Sequence, residues 1–177
     1  DERIAGYCCS NSMDVEMTSP DHETGTDRLA EVATRRDADI YVNVQGDEPL
    51  IDPATIDTCA ECLVRAIPRG IGVSTGYLEG ATPEQMASHS SVHVVPTLDG
   101  CVLSFSRLPV PLAFREPFTP NVHIGLYAFT GAALDQFSIW KRGPVERAES
   151  IELMRYLEHG ERIACVAISS NSIGVDH

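Results

Sequence analysis

The apolar positions of this chain fall into short blocks whose spacing switches between the strand period and the helix period. The clearest block is 40–44 (IYVNV). It is β-branched and almost unbroken, which predicts a buried strand, and a parallel one because alternation is weak. Apolar residues Leu29, Val32 and Ala33 predict a helix capped by Thr26. Pro53, followed by Ile56, Cys59, Ala60 and Leu63, predicts another. Strands are expected at 15–18, 72–77, 123–129 and 162–168. A hairpin is expected over 93–105, turning at Asp99 and Gly100. A helix is expected over 145–157, ended by Gly160, and residues 1–10 read as the end of a further helix. The proline-rich stretch 108–121 breaks the pattern and predicts a long loop of the kind that carries function or an interface. Strands alternating with helices predict α/β architecture, with one domain over 1–177.

Composition narrows the picture. A hydrophobic content of 43% fits a packed domain, and the net charge of -13 argues against a nucleic-acid surface. No apolar run reaches membrane-span length, and the chain opens on charged residues rather than a signal sequence, so a cytoplasmic protein with no membrane partner is expected. The six cysteines include the pair Cys59 and Cys62, but a zinc site needs two more ligands at usable spacing. Reduced, largely buried thiols are expected.

The chemistry concentrates at strand ends. Gly46, Asp47 and Glu48 follow the 40–44 strand directly. Ligands of open α/β sheets collect beyond such carboxyl ends, and a carboxylate there suits a hard cation carrying a phosphate. Asp176 ends a second such run near the other terminus. Two strand-end aspartates suggest metal-assisted phosphoryl or nucleotidyl chemistry. Neither a P-loop nor a G-x-G-x-x-G motif is present.

Six segments together carry a family resemblance: 17–31 (MTSPDHETGTDRLAE), 42–50 (VNVQGDEPL), 105–107 (FSR), 123–127 (HIGLY), 146–152 (ERAESIE) and 174–176 (GVD). Their order and spacing resemble the 3-deoxy-manno-octulosonate (Kdo) cytidylyltransferases across nearly the whole chain. The resemblance implies a Rossmann-like, glycosyltransferase-A-like nucleotidyltransferase sheet flanked by helices. It also implies a homodimer, with 101–130 as an excursion serving dimerisation and sugar binding. The implied activity couples CTP to an acidic sugar with Mg2+ and releases pyrophosphate. Asp47 and Asp176 would hold the metal, and Asp47 and Arg107 would be catalytic. Gly25, Thr26, Asp27, Arg28 and Gly46 would lie at the nucleotide. Gln45, Arg107, His123, Tyr127, Glu149 and Glu152 would meet the sugar, with Arg107 able to grip its carboxylate by two hydrogen bonds.

Simpler roles stand beside these. Asp47 could be a turn aspartate, Thr26 and Asp27 a plain helix start, and Arg107 a surface ion-pair partner. Glu149 and Glu152, three apart on one helix face, could be solvated, and His123 and Tyr127 could pack in a dimer interface. The sequence also departs from the family pattern. The chain begins inside a helix and stops just after a strand-end aspartate, so it is expected to be truncated at both ends; it also lacks a basic loop of the type I-P-A-R-x-x-S-x-R-L-P-G-K, so it is expected to be inactive alone. Leu153 stands where glutamine is usual, and Phe129 and Thr130 where Tyr-Arg is usual. These departures leave open another acid (8-amino Kdo, a different ulosonic acid or a phosphonate) or a non-catalytic relative.

Overall fold

The structure is a computed structural model, and it describes residues 1–169. The elements run, in chain order, α1 (Glu2–Ser10), α2 (Gly25–Ala33), β1 (Tyr41–Val44), α3 (Pro53–Ala66), β2 (Val73–Leu78), α4 (Pro83–Ala87), β3 (His93–Pro96), β4 (Val102–Ser106), β5 (Asn121–Phe129), α5 (Gly131–Ile139), α6 (Pro144–Glu149), α7 (Met154–Glu158) and β6 (Ala164–Ala167). The sheet order is β4-β3-β5-β2-β6, with β1 joined to β5.

β5 is the hub. It runs antiparallel to β1, β2 and β3, while β2 and β6 pair in parallel. The 40–44 strand therefore exists, but its hydrogen-bonded neighbour is antiparallel. Its weak alternation reflects packing on both faces rather than a parallel partner. One face of the sheet carries α3, whose Cys59 and Leu63 meet Ile124, Leu126 and Ala128. The other face carries α2, α5 and α7, whose Ala30, Phe137 and Tyr156 pack with Tyr127 and Phe129. Alternate residues of β5 thus serve opposite cores.

Several local expectations change. Residues 15–18 form no strand. The cap of α2 is Thr24, which accepts from the Asp27 N–H, while Thr26 is fully buried at the second position of the helix. The expected helix at the start is present as Glu2–Ser10, with the Asp1 side chain accepting from the Arg3 N–H. The expected 145–157 helix breaks at Ser150, which adopts left-handed φ 54° and separates α6 from α7. Burial drives the break, because it turns Ile151 and Leu153 into the core together. Strands β4 and β5 belong to the main sheet, so the excursion within 101–130 shrinks to the stretch between Ser106 and Asn121. No helix among the described residues is long and apolar enough to cross a membrane.

Candidate active site

β1 and β3 both pair with the same edge of β5, one after the other. β3 takes Asn121 and Val122, and β1 takes Leu126 to Phe129. Between them the edge is left to two loops, Val92 accepting from the His123 N–H and Gly125 accepting from the Gln45 N–H. The loops diverge over this gap and open a cleft of ≈ 710 Å³. Its walls include Gln45, Asp47, Arg107, His123, Tyr127 and Glu152. The cleft lies at the carboxyl end of β1, where strand-end ligands are expected.

A bulge shapes its floor. Thr75 faces Tyr127 and Tyr77 faces His123, so β5 spends three residues where β2 spends one. Bulges re-aim side chains beside functional sites. Here the bulge folds two residues of one strand together, and the His123 and Tyr127 rings stack at 5.5 Å and 9°. Gly125 sits in the bulge because a Cβ there would lie 2.9 Å from Gln45 Oε1 and 3.1 Å from Gln45 Cβ. That close approach lets Gln45 Nε2 donate to the Tyr127 hydroxyl at 3.0 Å. Gly125→Ala is expected to displace Gln45, lower stability by about 1–3 kcal/mol and raise KM for a substrate bound in the cleft more than it lowers kcat. Urea unfolding and steady-state kinetics would check both.

His123 is neutral. Thr75 donates its single hydroxyl proton to the Leu126 carbonyl at 2.9 Å, so His123 Nε2 must donate to Thr75 Oγ1 at 2.8 Å. Burial pushes its pKa down from 6.5 to about 3. The folded pKa lies below the unfolded one, so this stabilisation is present above pH 6.5 and is lost as pH falls. The expected loss is about 1.4 kcal/mol per pH unit below that point. Urea unfolding at pH 7 and pH 5 should therefore show a steeper decline for the native protein than for His123→Phe. Equal declines would contradict the assignment. Burial likewise raises the Tyr127 pKa, so the phenol stays protonated.

Asp47 and Arg107 carry the charge. Asp47 Oδ1 is buried and has no hydrogen-bond partner among the described residues. An orphaned carboxylate oxygen in a cleft wall fits a ligand to a hard cation. The Arg107 guanidinium is held by backbone carbonyls: Nε by Glu149, Nη1 by His89 at 2.8 Å and Ser90 at 3.2 Å, and Nη2 by Ser150 at 3.3 Å. It is in no ion pair among the described residues, so its positive charge is positioned but not neutralised. Four of its five N–H groups are used, leaving one Nη2 proton. The expected two-bond grip on a carboxylate is therefore available only if a long carbonyl bond is released.

The glutamates part company at the Ser150 break. Glu149 accepts from the Arg107 N–H at 2.9 Å and braces that arginine. Glu152 accepts from the Gly25 and Thr26 N–H groups, both at 3.0 Å. The start of α2 does hold an anion, and that anion is the Glu152 carboxylate rather than a free phosphate. Asp27 pairs with Arg155, which is also bound by Glu146 through two hydrogen bonds of 2.9 and 2.8 Å. Arg28 holds Thr18 and the Ser19 carbonyl. Gly25, Thr26, Asp27 and Arg28 thus frame the back of Glu152 and are not in the cleft wall. Gly46 stands exposed beside Asp47 with open space where a side chain would be. Asp176 lies outside the described residues.

Sequence reasoning missed the Ser90, Ser91 and Gln85 part of the wall. Its only signal was the polar run before β3. The structure also relocates the family departures. Leu153 and Phe129 are fully buried in the core, and Thr130 caps α5 by accepting from the Ala133 N–H. None of the three lines the cleft, so they leave its polarity unchanged.

A sequence model of the cytidylyltransferases (CTP_transf_3) matches residues 1–163. The chain belongs to this cytidylyltransferase family. It is 42% identical to the 3-deoxy-manno-octulosonate cytidylyltransferase of Geobacter metallireducens, over 99% of this chain and 73% of the relative. It is 41% identical to that of Solibacter usitatus, over 99% and 70%. Among solved structures, it superimposes on a CMP:2-keto-3-deoxy-manno-octonic acid synthetase complexed with CTP, with TM-score 0.87 and 33% identity over 99% of this chain and 72% of that one. A putative glucose-1-phosphate thymidylyltransferase from Bacillus anthracis, at TM-score 0.60 and 11% identity, shares the fold alone.

Proposed function

We propose that this cytidylyltransferase joins CTP to Kdo, giving CMP-Kdo and pyrophosphate. The observation that carries the reading is one cleft holding an unpartnered carboxylate oxygen, Asp47 Oδ1, together with an un-neutralised guanidinium, Arg107. The relatives' names and the CTP complex of the similar structure support the same nucleotide and sugar.

In this reading the sugar's anomeric oxygen attacks the α-phosphorus of CTP, the new P–O bond forms, and the bond to pyrophosphate breaks. The protein's part is positioning and charge. Arg107 attracts the sugar carboxylate and offers it the remaining Nη2 proton. Gln45 and Tyr127, locked to each other, present fixed polar groups to the sugar hydroxyls. Neutral His123 forms a wall without adding charge. Glu152 ties the cleft rim to α2, so the nucleotide role of residues 25–28 and Gly46 is to shape that rim. Asp47 would hold Mg2+, with phosphate oxygens and water completing its shell, as is usual for this ion. The ion would neutralise phosphate charge and acidify the attacking hydroxyl.

A homodimer through the stretch between β4 and β5 is part of the proposal. Leu108, Leu112 and Phe114 are exposed there, an apolar surface suited to a second copy. Light scattering of the full gene product should give twice the monomer mass, in a cytoplasmic protein.

The test is pyrophosphate release by the full gene product with CTP and Mg2+ over a panel of Kdo, 8-amino Kdo, another ulosonic acid and a phosphonate. Release with Kdo well above the others supports the reading. Release only with another acid would overturn the sugar assignment. Silence from folded protein would overturn the catalytic one.

A further inference from the structure

Four of the six cysteines are buried, and they sit in different surroundings. Cys59 shares a contact with the Ser74 hydroxyl, and burial pushes its pKa up to about 12. Cys165 lies in the core on the α5 side of the sheet, and burial raises it to about 12 as well. Cys101, at the tip of the β3–β4 hairpin, differs. Its sulfur accepts from Arg162 Nη2 at 3.2 Å and from Arg69 Nη2 at 3.6 Å. Both guanidiniums also bind Asp99, so two positive charges and one negative charge surround one thiol. The hairpin is held in place by Thr97, which accepts from the Cys101 N–H at 3.0 Å and donates to the Cys101 carbonyl.

Only 3% of Cys101 is exposed, but two of its covering groups are arginine side chains that are 40% and 50% exposed. The sulfur is therefore screened from solvent partly by surface side chains and not by the core alone. Cys62, on α3, packs in the same small cluster with Ala66, Ile71, Cys101 and Ala164. Cys165 neighbours Ala164 on β6 and so points to the opposite face. Cys62 has no cationic hydrogen bond, and burial raises its pKa. Among the described residues no group of three or more His, Cys, Asp or Glu side chains is arranged to hold a metal ion, so the cluster is not a metal centre.

We propose that Cys101 is a site of oxidation by hydroperoxides, with Cys62 as its resolving thiol. The two guanidiniums that donate to the Cys101 sulfur are placed to stabilise the negative charge that an attacking sulfur carries. The Cys101 thiolate attacks the distal peroxide oxygen. An S–O bond forms, the O–O bond breaks, and the departing alkoxide or hydroxide takes up a proton. Sulfur is oxidised to the sulfenic acid and the peroxide is reduced to an alcohol or water. Cys62 then attacks the Cys101 sulfur. The S–S bond forms, the S–O bond breaks, and hydroxide leaves with the Cys62 proton as water. The product links α3 to the hairpin tip, away from the cleft.

The experiment exposes the reduced full-length protein to limiting hydrogen peroxide, followed by alkylation and peptide mass spectrometry. The first oxidation product should be a Cys62–Cys101 disulfide, with Cys59 and Cys165 still alkylated. In Cys62→Ser, dimedone should trap Cys101 as sulfenic acid. Arg162→Gln should slow Cys101 oxidation by about threefold. That variant removes the nearer of the two cationic donors to the sulfur. Arg69→Gln serves as a second variant with the same expected direction. Cys9 is exposed and reports ordinary thiol reactivity. Oxidation of Cys9 before Cys101, a disulfide to any other cysteine, or unchanged rates in both folded arginine variants would overturn the proposal.

Discussion

Asp47→Asn is expected to lower kcat by about 10³-fold, which is about 4 kcal/mol of transition-state stabilisation, while leaving the fold intact. The two halves of this expectation have one cause. Asp47 Oδ1 is buried without a hydrogen-bond partner among the described residues. Among the described residues no hydrogen bond is lost when that oxygen is replaced, so the fold has little to lose. Urea unfolding should therefore give a stability close to that of the native protein. In the proposed function the same oxygen would hold the hard cation, so CTP with Mg2+ should raise the melting temperature of the native protein and not that of the variant. A folded Asp47→Asn protein within a few-fold of native turnover would remove Asp47 from the metal role.

Arg107 behaves differently, because its guanidinium is both charge and brace. Four carbonyl bonds join the end of β4 to residues 89–90 and to the Glu149–Ser150 break. Arg107→Lys keeps the charge but loses the planar fork. A lysine satisfies at most three acceptors and cannot reach all four carbonyls from one point. We expect Arg107→Lys to lower kcat/KM by about 10²-fold, mostly through KM for the sugar, and to cost about 1–3 kcal/mol of stability. Arg107→Ala removes the charge as well and should lower kcat/KM by about 10³-fold. The two variants should weaken CTP binding little, since the account assigns Arg107 to the sugar. A lysine variant with native KM for Kdo would contradict that assignment.

Much of the site was legible because strand ends and helix caps carry local signals. Asp47 follows a β-branched run and a glycine, and Arg107 follows an apolar strand, so each could be placed at a strand end before any packing was known. His123 and Tyr127 were placed on one face correctly, but only the β5 bulge explains why their rings touch. A bulge adds residues without changing composition, so periodicity does not report it. The Ser150 break was hidden for a related reason. The helical pattern of 145–157 continues through it, and only the shared burial of Ile151 and Leu153 overrides local propensity. That break separates Glu149 from Glu152, which a continuous helix would have placed side by side. The antiparallel partner of β1 was likewise out of reach, since a strand covered on both faces loses its alternation in either direction. Leu153, Phe129 and Thr130 look like specificity changes in the sequence and are core and capping positions in the fold.

The most direct test is a crystal structure of the full gene product with Kdo, a non-hydrolysable CTP analogue, and Mn2+ in place of Mg2+. Anomalous density is expected about 2.1 Å from Asp47 Oδ1, the octahedral hard-cation distance, with the sugar carboxylate within hydrogen-bond reach of Arg107 Nη2. Metal and sugar bound elsewhere, with the cleft between β1 and β3 left to solvent, would contradict it.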